Sequence, residues 1–283
     1  MLVHAHPDDE TLTTGGTIAR YCSDPDTAVT VVTCTLGEEG EIIPRELALL
    51  GAQHADQLGG YRIGELAAAL AALGAPAHHF LGGAGRWRDS GMTLTGDGVR
   101  AAAPPMLHPR AFARAEALPE QVDALVALMD QVRPQVVVTY AADGGYGHPD
   151  HVRAHEVTLA AARRVSSVRK IYATVVGRST LDAELTALAS APGLPFRMPT
   201  PGELPSVPDD TVTTRIDVSA HLHAKTAALR AHVTQVSVWS GAGVTAYALS
   251  NGIAQPVLAV EEYTLLDGPA TDEETDLFAG LDL

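Results

Sequence analysis

Two short clusters, His4-Ala5-His6-Pro7-Asp8-Asp9-Glu10 near the start and Gly147-His148-Pro149-Asp150-His151 near the middle, constrain this chain more than any other feature. A single His-Pro-Asp is ordinary turn chemistry, in which proline fixes φ and aspartate caps the next helix. Here each copy stands between an apolar, strand-like run and an amphipathic segment, and turn chemistry does not account for that repeated layout. The fold must therefore bring both clusters to one place.

Together they supply the donors of a metal site. A catalytic zinc takes three imidazole or carboxylate ligands and leaves a fourth position open for water. His6, Asp9 and His151 fit that set, and Asp8 and His148 are then free for proton transfer beside it. The donors do not select zinc, because Fe(II) and Co(II) accept the same nitrogen and oxygen ligands.

Residues 28–35 (AVTVVTCT) and 135–140 (QVVVTY) are β-branched and almost continuously apolar, as strands buried on both faces of a parallel sheet must be. Apolar residues at helical spacing predict helices over 10–21, 45–58, 63–73, 119–132 and 151–165. Alternation of this kind predicts an α/β fold: a Rossmann-like, doubly wound, mostly parallel sheet with helices on both faces. The expected organisation is one domain over 1–283, with a core over about 1–180 and a C-terminal extension over about 181–283. Ligands of such sheets sit beyond the carboxyl ends of the strands, where both clusters fall, so the topology brings Asp9 to His151. Asp9 and Glu10 open the first helix, whose free amides and dipole favour carboxylates and keep Asp8 and Asp9 ionised. Only Met1, Leu2 and Val3 precede the first histidine, which reads as a cropped strand from a truncated or misassigned start.

Residues 96–118 carry Gly, Pro and basic residues without a period and read as a surface insertion, either a lid or a disordered loop. Recurrent proline over 190–210 reads as a linker into a strand over 211–218 and a helix over 219–233. The net charge of −15 argues against nucleic acid and anionic membrane as partners and favours a small neutral or cationic ligand. Cys22 and Cys34 match no metal or redox spacing and fit thiols of a reducing compartment. With no secretory pattern and no membrane-length apolar run, a soluble cytoplasmic protein is expected.

Other candidates carry less. His4 shares a strand face with His6 and reads as a packed neighbour of the site, and His155, four after His151, lacks the glutamate of a His-Glu-x-x-His helix. His78, His79, His221 and His223 have no carboxylate at ligand spacing, whereas His232 stays open. Gly82-Gly83-Ala84-Gly85 does not match a dinucleotide fingerprint, which excludes a nicotinamide site. Arg86-Trp87-Arg88-Asp89-Ser90-Gly91 has the composition of a sugar-holding loop, though a solvated loop accounts for it equally well. Gly37-Glu38-Glu39-Gly40-Glu41 follows the second strand at the ligand edge, or is simply acidic as helix starts are.

The pair His6-Pro7-Asp8-Asp9-Glu10 and Gly147-His148-Pro149-Asp150-His151 resembles the zinc-dependent LmbE-like, or PIG-L-like, N-acetylglucosaminide deacetylases. Residues 34–41, 56–62, 82–92 and 144–148 are similar to the branch of that family that deacetylates N-acetylglucosaminyl-inositol in mycothiol biosynthesis. The resemblance implies His6, Asp9 and His151 as ligands and Asp8 as general base. It also implies His148, oriented by Asp150, and Tyr146 at the tetrahedral intermediate or leaving amine, with Glu41, Arg62 and Asp89 at sugar or inositol hydroxyls. A sister branch, the mycothiol S-conjugate amidases, shares the metal motif but typically has lysine where this chain has Thr13, which favours the deacetylase. Ala141-Ala142 departs from the Asp-Pro common at that point in the family. A non-catalytic sugar- or metal-binding module on the same fold is the alternative from another class.

Overall fold

The computed structural model describes residues 1–95, 100–272 and 274–282. The chain runs β1 (Leu2–His4), α1 (Asp9–Cys22), β2 (Thr30–Thr33), α2 (Leu58–Ala72), β3 (Ala77–Phe80), β4 (Thr93–Leu94) and β5 (Ala101–Ala102). It continues through α3 (Leu118–Val132), β6 (Val136–Tyr140), α4 (Pro149–Ala162), β7 (Lys170–Val175), α5 (Arg178–Ala189), β8 (Thr214–Asp217) and α6 (Leu222–Ala231). The last strands are β9 (Ser237–Gly241), β10 (Val244–Ala248), β11 (Gln255–Pro256) and β12 (Val260–Asp267).

Seven strands form the main sheet in the order β3-β2-β1-β6-β7-β12-β8. The first five are parallel, and β12 runs antiparallel to both β7 and β8. The expected α/β sheet is present, with an antiparallel edge that the residues after 180 supply. The extension is thus continuous with the core sheet through β8 and β12, while β9, β10 and β11 make a separate antiparallel sheet.

The apolar runs sort by pleat, since successive side chains point to opposite faces. Val3, Val32 and Val137 pack with Leu125 and Met129 of α3 and Val157 of α4. Leu2, Val31, Val136 and Val138 pack with Ile18 of α1, Leu66 and Leu70 of α2, and Ala228 of α6. Burial on both faces explains why β2 and β6 read as unbroken apolar strings. Despite its short lead-in, β1 is a central strand, paired with β2 on one side and β6 on the other.

That position fixes the site. Two chain crossovers diverge from β1, one towards β2 and one towards β6, and a crevice opens at such a switch point. The turn leaving β1 carries His6 and Asp8 and leads into α1, which opens at Asp9; the loop leaving β6 carries Tyr146 and His148 and leads into α4, whose first turn holds His151, so both reach the same carboxyl edge.

Two expectations change. Residues 45–58 do not form a helix: only a 3₁₀ turn spans Arg45–Leu50, and α2 begins at Leu58 rather than at 63. No residue of that turn is buried, so there is no packed face to sustain a helix. Within the expected surface insertion, residues 96–99 lie outside the described residues, β5 pairs with β4, and Ala111 and Phe112 are completely buried in the core. Phe112 is held there by its carbonyl, which accepts from Gln121 Nε2 at 2.7 Å.

Candidate metal centre and active site

Asp9 occupies the centre of the site. Its Oδ2 accepts from the Tyr140 hydroxyl at 2.7 Å and from the His6 backbone N–H at 2.9 Å, so the carboxylate is fixed from two sides. Its Oδ1 then faces His151 Nε2 at 3.3 Å. The His151 ring is oriented by the Gly144 carbonyl, 3.1 Å from Nδ1, and by stacking on Tyr140 at 4.2 Å between centroids. A carbonyl only accepts, so it keeps the His151 proton on Nδ1 and leaves a bare lone pair at Nε2. Nε2 is buried and has no hydrogen-bond partner among the described residues. Two acceptors facing each other in a buried space are stable when a cation lies between them.

His6 repeats the arrangement. Its Nε2 faces Asp150 Oδ2 at 3.3 Å and Asp89 Oδ1 at 3.5 Å, while Nδ1 faces Asp9 Oδ2 at 3.2 Å. In the neutral ring a proton on Nε2 serves the two outer carboxylates and leaves Nδ1 towards Asp9, the carboxylate–histidine arrangement of metal sites. Ligand atoms of His6, His148 and His151 lie within 4.8 Å of one another, as do those of His6, Asp89 and Asp150. Neither set contains Asp9, which joins the cluster through His6 Nδ1 at 3.2 Å and His151 Nε2 at 3.3 Å, and the donors gathered here fit a divalent cation.

The surrounding carboxylates make the pocket strongly anionic, a field that attracts a cation or a proton. Burial works against charge on His6, yet Asp89, Asp150 and Asp9 together raise its pKa well above the ordinary value. Asp9 is held well below the usual carboxylate range, because His151 and His6 outweigh its burial. Asp89 is likewise pushed down against its burial, chiefly by His6.

Asp8 sits at the entrance to α1 with φ 118°, a conformation that residues other than glycine rarely adopt. Its Oδ2 lies 3.2 Å from Arg62 Nη2. Burial pushes the Asp8 carboxyl up to about 6, with Arg62 opposing and Asp9 adding to the rise. His148 caps α4, its Nδ1 accepting the Asp150 N–H at 3.2 Å. Burial, reinforced by His6 and His151, pushes its imidazole down to about 2. Tyr146 lies edge-on to His151 at 5.2 Å, and burial drives its hydroxyl pKa well above the ordinary value.

The family model described as GlcNAc-PI de-N-acetylase, PIG-L, matches residues 1–162. The chain belongs to the PIG-L family. Its similarity extends beyond the matched segment. The chain is 59% identical over 286 residues to 1D-myo-inositol 2-acetamido-2-deoxy-alpha-D-glucopyranoside deacetylase 1 of Saccharopolyspora erythraea, covering 99% of this chain and 93% of that one. It is 61% identical over 282 residues to the deacetylase of the same name, without the numeral, from Actinosynnema mirum, covering 99% and 96%. Among solved structures, GalB, the 4-carboxy-2-hydroxymuconate hydratase of Pseudomonas putida KT2440, aligns with a TM-score of 0.56 at 18% identity, covering 96% of this chain and 97% of that one. At that identity the likeness is one of fold alone.

Several residues expected in this PIG-L site are placed differently from their expected roles. Asp150 does not orient His148 through its carboxylate: that group faces His6 and accepts from both the Ser90 N–H and the Ser90 hydroxyl, and only the Asp150 backbone reaches His148. Arg62, expected at sugar hydroxyls, is 2% exposed, and its guanidinium donates to the carbonyls of Gly37 and Pro7 beside Asp8. A Cβ at Gly37, where φ is +66°, would collide with that guanidinium. Asp89 is buried against His6, Glu39 N–H and Gly91 N–H, whereas Glu41 is exposed.

The sugar-loop reading of residues 86–91 also changes. Trp87 is 4% exposed and packs edge-on to Phe112, so it offers no stacking face to a ligand. Arg88 is committed to Glu39 and Asp56. His4 is a packed neighbour, bonded to Thr14, and His155 bonds the Tyr140 carbonyl. Sequence reasoning missed Tyr140 and Ser90. Tyr140 had a signal, as a polar aromatic ending a strand at the ligand edge, but Ser90 had none.

Proposed function

We propose that this chain is a metal-dependent amide hydrolase that removes acetyl from N-acetylglucosaminyl-inositol, giving acetate and the free amine, as mycothiol biosynthesis requires. The observation that carries the hydrolase reading is the facing pair Asp9 Oδ1 and His151 Nε2, with Asp8 alongside. The full-length similarity to the two inositol-sugar deacetylases supports the substrate. Zinc is the metal we assign, since two imidazoles and one carboxylate are a common catalytic zinc set.

When bound, the divalent ion supplies Lewis acidity that polarises the acetyl carbonyl and eases deprotonation of water. Asp8 takes the proton of the attacking water; a carboxyl raised to about 6 is a stronger base than an ordinary aspartate and is still ionised at neutral pH. His148 accepts at Nδ1 and so carries its proton on Nε2. Neutral at physiological pH, it serves as a hydrogen-bond donor to the developing oxyanion, and the departing nitrogen takes the proton that Asp8 removed from the water. Tyr146, held as a protonated phenol, is the second donor to that oxygen. Asp89 and Asp150 fix His6, and exposed Glu41 is left for a sugar or inositol hydroxyl.

The substrate is a small amino sugar, in keeping with a net charge of −15, and we place the reaction in the cytoplasm. Among the described residues no helix is long and apolar enough to cross a membrane. The test is amine release by metal-reconstituted protein from N-acetylglucosaminyl-inositol, plain N-acetylglucosamine and a mycothiol S-conjugate. Preferential release from the inositol sugar is expected. Faster cleavage of the S-conjugate would assign the chain to the amidase reaction, and binding without turnover would leave a non-catalytic module.

A further inference from the structure

The pair Glu10 and His232 has no role in the chemistry above, yet both side chains are completely buried. Their sequence separation is 222 residues, and His232 Nε2 lies 3.0 Å from Glu10 Oε1. His232 ends α6, beyond the segment that the family model matches. The other carboxylate oxygen of Glu10 accepts the Asp8 backbone N–H at 2.9 Å. That contact is the informative one, because Asp8 is the residue with φ 118°. A side chain in such a conformation persists only when its surroundings over-determine it.

We infer that Glu10 and His232 are positioning residues that hold the Asp8 backbone in the conformation that aims its carboxylate at the attacking water. Three restraints converge on Asp8. Arg62 fixes the carboxylate, the Asp8 carbonyl accepts the N–H groups of Thr11 and Leu12 at 2.9 Å each, and Glu10 fixes the amide. Glu10 is in turn fixed at Oε1 by the Thr11 hydroxyl at 2.5 Å and by His232. The C-terminal part of the chain thereby reaches the base through the His232 imidazole. α6 packs on both α1 and α2, so His232 is carried by a rigid support.

The inference rests on Asp8 being the base, and its test separates the two. His232→Leu removes the support of Glu10, and His232→Gln restores a side-chain N–H donor. We expect His232→Leu to lower kcat on the order of 10²-fold, the cost of a misplacement of about 1 Å, with KM and Zn(II) affinity within about threefold, the scatter we allow for a group that touches neither. His232→Gln should recover most of the loss. Amide hydrogen exchange at Asp8, read without substrate, should accelerate in His232→Leu and return in His232→Gln.

A folded His232→Leu with wild-type kcat and unchanged Asp8 exchange overturns the inference, as does a uniform loss of kcat, KM and metal affinity that glutamine does not rescue. If His232→Leu fails to fold, Thr11→Val, which removes the other donor to Glu10 Oε1, is read by the same exchange measurement. A wild-type protein without amidohydrolase activity removes the functional reading instead, while Asp8 exchange still decides the positioning claim.

Discussion

Asp9 and His151 present bare acceptors to each other: Oδ1 and Nε2 face across 3.3 Å, with the imidazole proton directed away to the Gly144 carbonyl. The parallel sheet creates this relationship. Its two residues stand in the first turns of α1 and α4, the helices that follow β1 and β6, and the pairing of those strands brings sequence positions 142 apart into contact. The strongest support for the pair is Tyr140, which donates to Asp9 and stacks on His151.

Tyr140→Phe should therefore weaken the metal more than the fold. The ring and its stacking remain, while the hydrogen bond to Asp9 Oδ2 and the acceptor for the Ala5 N–H are lost. The expected outcome is a loss of about 10- to 100-fold in divalent-metal affinity, as for other groups that orient a ligand. Titration of Zn(II) into metal-free protein measures it, and an unchanged affinity would show that Asp9 does not depend on the tyrosine.

How far the sequence foretells this site depends on the distance over which each signal acts. The ligand set is legible because histidine and aspartate types are chemically specific and their strands are marked by β-branched runs. The loop over residues 86–91 is not, because the same aromatic and basic composition serves a ligand or a core. Trp87 is committed to Phe112, a residue from an insertion that looked like surface, and that pairing depends on tertiary packing. Arg62 misleads for a related reason: its partners are backbone carbonyls, which every residue possesses. β12 escaped notice because its strand alternates little and its partner β7 is distant in sequence.

Trp87→Ala tests that reassignment. As a core residue its truncation should cost about 3–5 kcal/mol of stability, read from denaturant unfolding. The surviving folded protein should keep its KM for the inositol sugar. A stable variant whose KM rises sharply would return the indole to the substrate.

Glu274 ties the C-terminal segment to the sheet through Lys170 Nζ at 2.6 Å, the Tyr172 hydroxyl at 2.6 Å and the Thr214 hydroxyl at 2.8 Å. Burial works to raise its pKa, but Lys170, Tyr172 and Thr214 outweigh it and leave the carboxyl below its ordinary 4.5. The stability it contributes is thus complete above pH 4.5 and disappears as pH falls through the folded-state value below it. Glu274→Gln leaves Lys170 without its counter-charge and should cost about 3–5 kcal/mol at neutral pH. It should also flatten the acid limb of stability against pH, measured by urea unfolding. An unaltered acid limb would remove Glu274 from the account.

The most direct test of the central claim is amine release from N-acetylglucosaminyl-inositol by wild-type and Asp8→Asn protein, each stripped of metal and then reloaded with Zn(II), with binding measured by calorimetry. The account expects full turnover only in the reloaded wild type. Asp8→Asn should bind the metal with near-normal affinity and lose about 10²- to 10⁴-fold in kcat, the usual contribution of a general base. Turnover that persists without metal, or an Asp8→Asn protein that works at the wild-type rate, would contradict it.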